Sequence, residues 1–68
     1  MSHSKLALLR GSKGWTQAEF AERSKVNRDT ISKLETGALT IKDISALTLC
    51  KLAAAFDMPV EEFQKWVT

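Results

Sequence analysis

The sequence predicts a single all-helical (all-α) domain, and three observations point to this fold class. Apolar residues recur at helical spacing almost throughout the 68 residues. No segment sustains the apolar–polar alternation that is typical of a strand. Capping residues and glycines divide the chain into short helices. The length suits one domain, which we expect to comprise residues 1–68.

The first two helices are indicated by signals at their ends. A helix over residues 4–13 is predicted from Ser4 as its N-cap and Gly14 as its stop, with Leu6 and Leu9 facing the core. The next stretch, Thr16-Gln17-Ala18-Glu19, is a capping box, and the flanking Trp15 and Phe20 form the matching hydrophobic staple. A second helix is therefore predicted over residues 17–24.

The third helix follows after a joint of only three residues. Asn27 is its predicted N-cap, residues 28–35 form it, and Gly37 ends it. Ile31 and Leu34 are spaced to face inward. A joint this short forces a sharp angle between two short helices.

Two further helices complete the predicted fold. A loop over residues 38–44 leads to Ser45, the N-cap of a fourth helix over residues 46–56. The buried stripe of this helix is expected to contain Leu49, Leu52, Ala53 and Phe56. Pro59 suits the first turn of a last short helix. The apolar stripe of the last helix is expected to contain Val60, Phe63 and Val67, with Trp66 beside it.

The composition and charge limit the class of protein. Hydrophobic residues make up 44% of the chain, no apolar run approaches the ~20 residues of a membrane span, and no apolar signal segment begins it. We therefore expect a cytoplasmic protein without a membrane partner. Residues 1–42 carry eight Lys or Arg against four Asp or Glu, a net +4, whereas residues 43–68 carry two against four, a net −2. A basic half can face a polyanion, but ordinary scatter of surface charge explains the pattern equally well.

The second and third helices carry the functional signal. Ala21 must be small because the third helix crosses closely over it, Val26 fills the turn, and Ile31 anchors the third helix from beneath. The outward side of that helix is polar and consists of Arg28, Asp29, Ser32 and Lys33. Such a helix fits the major groove of duplex DNA, where base edges present a distinguishable pattern of donors and acceptors.

These features resemble the phage-repressor and Cro-like helix-turn-helix family, also called the XRE family. The resemblance extends from Leu6 to about Phe63 and depends on joint spacing rather than on any one position. The matching elements are Leu9-Arg10, Trp15-Thr16-Gln17, Ala21, Val26, Thr30-Ile31-Ser32-Lys33, Glu35, Gly37, Lys51-Leu52-Ala53-Ala54-Ala55-Phe56 and Val60-Glu61-Glu62-Phe63. The resemblance implies a five-helix lambda-repressor-like bundle that binds a near-palindromic operator as a dimer.

The resemblance also implies roles for individual residues. The residues expected to contact bases are Asn27, Arg28, Asp29, Ser32 and Lys33. Arg28 is the strongest of them because bidentate Arg to guanine is the commonest specific contact, whereas Asp29 accepts from a cytosine or only orients Arg28. Gln17 occupies the phosphate-contacting position at the start of the second helix. Weaker candidates for phosphate contact are Arg10, Lys13, Thr36, Thr40 and Lys42.

Three departures from the family pattern stand out, and one of them is Pro59 in place of the usual polar cap of the last helix. Lys25 occupies a position where the family usually has glycine, in a turn that requires a positive φ. The loop before the fourth helix is about three residues longer than the commonest family spacing. We expect Lys25 to cost roughly 1 kcal/mol of stability in that conformation.

Several other residues have structural interpretations. Glu35 lies near a helix C-terminus, where a carboxylate is unfavourable, so we expect a partner such as Arg10. Three aromatic residues are assigned to the core: Trp15, Phe20 and Phe56. Cys50 has no second cysteine to pair with, and neither Cys50 nor His3 is expected to bind a metal. We expect no cofactor.

Two function classes remain open. The first is a sequence-specific double-stranded DNA-binding regulator, a repressor, that dimerises through Phe63 or Trp66. The second is a protein-interaction module, such as an antitoxin or the partner of a repressor, that uses the same last helix. An enzyme with a small-molecule substrate is the least supported class, because the sequence has no Ser/His/Asp set, phosphate loop or metal cluster.

Overall fold

The computed structural model describes residues 4–67, which form five α-helices and one short 3₁₀ turn. The helices are α1 (Lys5–Ser12), α2 (Gln17–Ser24), α3 (Arg28–Thr36), α4 (Ala46–Ala55) and α5 (Val60–Val67). No strand occurs in this part of the chain, so the predicted all-helical class is confirmed. No helix among these residues is both long enough and apolar enough to span a bilayer.

The helices begin where the sequence signals place them. The Thr16 hydroxyl accepts a hydrogen bond from the Glu19 N–H at 3.1 Å, and the Glu19 carboxylate accepts one from the Thr16 N–H at 3.4 Å. This reciprocal arrangement is the predicted capping box, and such a cap stabilises a helix by about 1 kcal/mol. The other predicted N-caps that accept a backbone N–H are Ser4, Asn27 and Ser45.

The joint between α1 and α2 is a Schellman turn. Gly14 adopts φ +74°, a conformation that glycine accepts without the strain a side chain would bring. Its N–H donates to the Gly11 carbonyl at 2.9 Å, and the Trp15 N–H donates to the Arg10 carbonyl at 3.4 Å. The turn therefore satisfies the last carbonyls of α1 and delivers Trp15 to the core just before α2 begins.

A row of four aromatic rings runs through the core. Trp15 stacks on Phe20 with ring centroids 6.0 Å apart and on Phe56 at 5.3 Å. Phe20 lies 5.0 Å from Phe56, which in turn stacks on Phe63 at 5.9 Å. The row links the start of α2 to α5, and it confirms the core assignment of Phe20 and Phe56, while Trp15 stays half-buried.

The prediction that Phe63 or Trp66 forms a dimer contact is wrong for Phe63. Its side chain is 0% exposed, so it has no surface to offer to a second chain. Trp66, three residues further along α5, is 56% exposed. Phe63 is therefore reassigned to the core, and Trp66 alone remains a candidate.

The five helices surround the core in a closed order. α1 packs against α3 and α5, α2 packs against α3 and α4, and α4 also packs against α5. The buried apolar residues of these helices and of the turns between them are Leu6, Leu9, Phe20, Val26, Ile31, Leu34, Leu49, Leu52, Ala53, Phe56 and Phe63. The side of α3 opposite Ile31 and Leu34 is exposed, as the exposed side chains of Arg28, Asp29 and Lys33 show.

The segment between α3 and α4 differs from the predicted loop because it contains a 3₁₀ turn, Ile41–Asp43. The Asp43 carboxylate accepts hydrogen bonds from the Thr40 N–H at 2.8 Å and from the Thr40 hydroxyl at 3.0 Å. These bonds lower the pKa of Asp43 below its ordinary value. Smaller differences occur around α5, where Pro59 precedes the first helical residue and its carbonyl accepts from the Phe63 N–H at 3.0 Å.

Two leucines on α4 offer a matched test of this packing. Leu52 is fully buried, whereas Leu47 is 66% exposed. We expect Leu52→Ala to lower the free energy of unfolding by about 2–5 kcal/mol, because it leaves a cavity in the core. Leu47→Ala should change it by less than about 0.5 kcal/mol. Urea denaturation followed by circular dichroism measures both, and equal losses would contradict the placement of α4.

Candidate nucleic-acid interface

Helix α3 has two chemically distinct faces. Ile31 is 0% exposed and Leu34 is 8% exposed, so these residues anchor the helix to the core as predicted. The opposite face carries the residues predicted to contact bases. Of these, the exposed ones are Asn27, Arg28, Asp29 and Lys33, whereas Ser32 is half-buried. The structure thus gathers the five residues on and beside one outward surface, in the first two turns of α3.

The charged residues of this surface form only one weak ion pair within residues 4–67. Lys33 pairs with Asp29 at 3.1 Å, one helical turn away, with the two side chains 52% and 71% exposed. An exposed pair of this kind contributes about 0.3–0.5 kcal/mol, so a ligand can displace it at little cost. Arg28 forms no ion pair with any of residues 4–67. Asp29 therefore pairs with Lys33 and does not orient Arg28, which was one of its two predicted roles.

The turn before α3 has the geometry that the family pattern requires. Lys25 adopts φ +61° and ψ +29°, and its N–H donates to the Ala21 carbonyl at the end of α2. The next residue, Val26, is 8% exposed and its N–H donates to the same carbonyl at 3.2 Å. Val26 thus fills the turn as predicted, and the paired backbone groups hold the start of α3 in one orientation.

A polar network connects the three helices next to this surface. The Arg10 guanidinium on α1 grips the Glu35 carboxylate on α3 with Nε–Oε2 at 2.7 Å and Nη2–Oε1 at 3.1 Å. The Gln17 amide at the start of α2 donates to Glu35 Oε1 at 3.0 Å. Arg10 also donates to the Trp15 carbonyl at 2.6 Å. The hydrogen bonds to Glu35 raise the pKa of Arg10, and Glu35 has the partner that its unfavourable position predicted.

This network changes the assignment of Arg10. All three guanidinium nitrogens have acceptors within the protein, and the side chain is only 20% exposed. Arg10 therefore supports the surface and is withdrawn as a phosphate contact. Gln17 remains half-buried at the start of α2, with its amide orientation set by Glu35.

The other predicted phosphate contacts lie outside the first two turns of α3. The exposed residues of this group are Lys13, Thr36, Thr40 and Lys42. The hydroxyl of Thr36 donates to the Lys33 carbonyl at 3.2 Å, and that of Thr40 donates to Asp43. Lys13 follows α1 and Lys42 lies in the 3₁₀ turn, so the two lysines belong to different loops.

One residue near the site was not anticipated. The Arg23 guanidinium lies over the Trp15 ring, 5.0 Å from its centroid, and so covers the outer end of the aromatic row. Such a cation–π contact stabilises by about 0.5–1 kcal/mol at an exposed site. Arg23 thereby supports α2 rather than adding a free cation to the surface.

Metal-binding groups are not assembled in the described part of the chain. Within residues 4–67, no three His, Cys, Asp or Glu side chains are grouped so that they could hold a metal ion. Cys50 is an exposed free thiol on α4. His3 lies outside the described residues.

The fold and this surface define a small helix-turn-helix protein. The family model described as helix-turn-helix matches residues 6–63, and the chain belongs to this XRE-type family. The family is one of DNA-binding transcriptional regulators and is not typically enzymatic. Searches of curated proteins and of solved structures return no match.

Two ion pairs within residues 4–67, Arg10–Glu35 and Lys33–Asp29, permit a direct comparison. We expect Glu35→Ala to lower the free energy of unfolding by about 3 kcal/mol, because Arg10 is left partly buried without its counter-charge. Lys33→Ala breaks the exposed pair instead and should cost less than about 0.5 kcal/mol. Urea denaturation measures both values. A loss for Glu35→Ala no greater than that for Lys33→Ala would show that the network does not join the helices.

Proposed function

We propose that this chain is a sequence-specific double-stranded DNA-binding repressor that inserts α3 into the major groove. The observation that carries the proposal is the outward face of α3, which is polar and exposed while Ile31 and Leu34 fix the helix from behind. A helix presented in this way can meet base edges without disturbing the core. Residues 1–68 then act as one DNA-binding domain, and the protein works in the cytoplasm, where it meets its operator.

The proposed contacts divide into two groups. Arg28 hydrogen-bonds a guanine, since its guanidinium has no ion-pair partner among residues 4–67. The other base contacts come from Asn27, Asp29, Ser32 and Lys33. The backbone of the duplex is held by the N-terminal end of α2 with Gln17 and by four exposed residues, Lys13, Thr36, Thr40 and Lys42.

The proposed repressor binds as a homodimer. One α3 offers few base contacts, so affinity and specificity require two half-sites about 34–36 Å apart along the duplex. Trp66 on α5 is large, apolar and 56% exposed, which makes it the proposed dimer contact. A dimer on a near-palindromic operator occupies the DNA and excludes other proteins from it, which is the simplest route to repression.

A second candidate function has an observation of its own. A groove of about 630 Å³ lies between α1 and α5, and Leu8 and Trp66 contribute to its lining. Leu8 is 61% exposed, so both groove residues are available to another protein. Under this alternative the chain is a protein-interaction module, such as an antitoxin or the partner of a repressor, and the outward face of α3 is not needed.

The interface prediction is tested by selecting binders from a random duplex library and measuring affinity by gel shift. Arg28→Ala together with Lys33→Ala should abolish operator binding, because base contacts and phosphate attraction are lost together. Each single variant should weaken binding by about 1–3 kcal/mol. Lys51→Ala removes an exposed cation from α4 and should leave affinity unchanged.

The outcomes separate the two candidate functions. No enriched sequence and no salt-dependent shift would eliminate the DNA-binding proposal. A partner protein captured equally well by the parent and by the Arg28→Ala/Lys33→Ala variant would favour the interaction module. Circular dichroism of each variant verifies that the fold persists.

The dimer prediction compares two exposed apolar residues. We expect Trp66→Ser to raise the dissociation constant of the dimer at least tenfold and to weaken operator binding, because the apolar contact is lost. Leu47→Ser, on the exposed side of α4, should change neither quantity. Sedimentation equilibrium gives the dissociation constants. An unchanged dimer in Trp66→Ser would place the contact elsewhere.

A further inference from the structure

The turn between α2 and α3 holds a lysine in a conformation that lysine disfavours. Lys25 has φ +61°, and the other non-glycine residue with positive φ in the described chain is Asp57, at +56°. Aspartate tolerates this left-handed conformation because its short polar side chain can hydrogen-bond locally, whereas lysine has no such compensation. Strained residues of this kind cluster at functional sites.

No ion pair within residues 4–67 compensates for the strained backbone of Lys25. Its side chain is exposed, and among residues 4–67 it has no ion-pair partner. The nearby cation Arg23 differs in this respect, because its guanidinium covers the Trp15 ring. Lys25 therefore presents an exposed ammonium group at the end of α2, and this group has no ion-pair partner among residues 4–67.

The position of this ammonium group relates it to the proposed DNA surface. Lys25 lies two residues before Asn27, the N-cap of α3, and three before the exposed Arg28. When α3 enters a major groove, the preceding helix, α2, crosses the phosphate backbone, and Lys25 is the C-cap of α2. A lysine side chain is long and flexible, so its charge can follow a phosphate oxygen without further change in the turn.

We propose that Lys25 contacts a backbone phosphate of bound duplex DNA, and that this contact compensates for its backbone strain. The proposal rests on the proposed function and adds a contact to it. It assigns a binding role to a turn position that the helix-turn-helix pattern ordinarily gives to glycine. The contact carries no sequence information, so it should strengthen binding to all duplexes alike.

The test uses opposite effects on folding and on binding. Lys25→Gly relieves the strain and should raise the Tm by about 4–8 °C. The same variant should weaken binding to the selected duplex about tenfold and reduce the slope of log K against log salt by about 0.9 for each protomer. Lys25→Arg should keep the parent slope, because it retains the charge.

Two further variants make the result decisive. Asp57→Gly relaxes the other positive φ, away from the surface, and should leave the affinity and the salt slope unchanged. Lys25→Asn removes the charge with a residue that tolerates the turn, so it should bind as weakly as Lys25→Gly. If the parent binds DNA and Lys25→Gly retains its affinity and slope, the phosphate contact is refuted and the proposed function stands. If the parent binds no duplex, both the phosphate contact and the proposed function are refuted.

Discussion

The hydrogen-bonded pair of Arg10 and Glu35 is the constraint on which the rest of the structure depends. It joins α1 to the last turn of α3, and the Gln17 amide adds the start of α2 to the same carboxylate. Both charged side chains are largely withdrawn from water, so each needs the other, and a change at one leaves the partner costly to bury. Because three helices meet at one carboxylate, the angle of α3 is set by directional bonds and not by apolar packing alone.

Apolar packing joins the elements that the ion pair does not reach. The aromatic row passes from Trp15 to Phe63 and so connects the joint before α2 with α5 on the other side of the core. The turn at Val26 is closed by two N–H groups that donate to one carbonyl, which leaves little freedom at the start of α3. A recognition surface with few contacts benefits from this rigidity, because less conformational freedom is lost when it binds.

Local signals predicted most of this fold, since capping boxes, glycine stops and helical spacing act within a few residues. They also predicted a partner for Glu35, because the unfavourable position of its charge can be read from the chain. They could not separate Phe63 from Trp66, which lie almost one turn apart on α5, since only the packing of α5 against α1 and α4 decides which is buried. Likewise the sequence allowed Arg10 to contact either a DNA phosphate or Glu35. Only the distances in the structure show that its three guanidinium nitrogens bond to Glu35 and to the Trp15 carbonyl. The 3₁₀ turn, which depends on Asp43 bonding back to Thr40, is similarly invisible to apolar periodicity.

The fold determines which helices carry the uneven charge of the sequence. The basic half supplies α1, α2 and α3, which pack on one another around α3, whereas the acidic half supplies α4 and α5, which pack together. The two groups also adjoin, because α1 packs against α5 and α2 against α4, but the net +4 of residues 1–42 belongs to the group that contains α3. An excess of positive charge on the helices around α3 favours the approach of a polyanion to that part of the molecule.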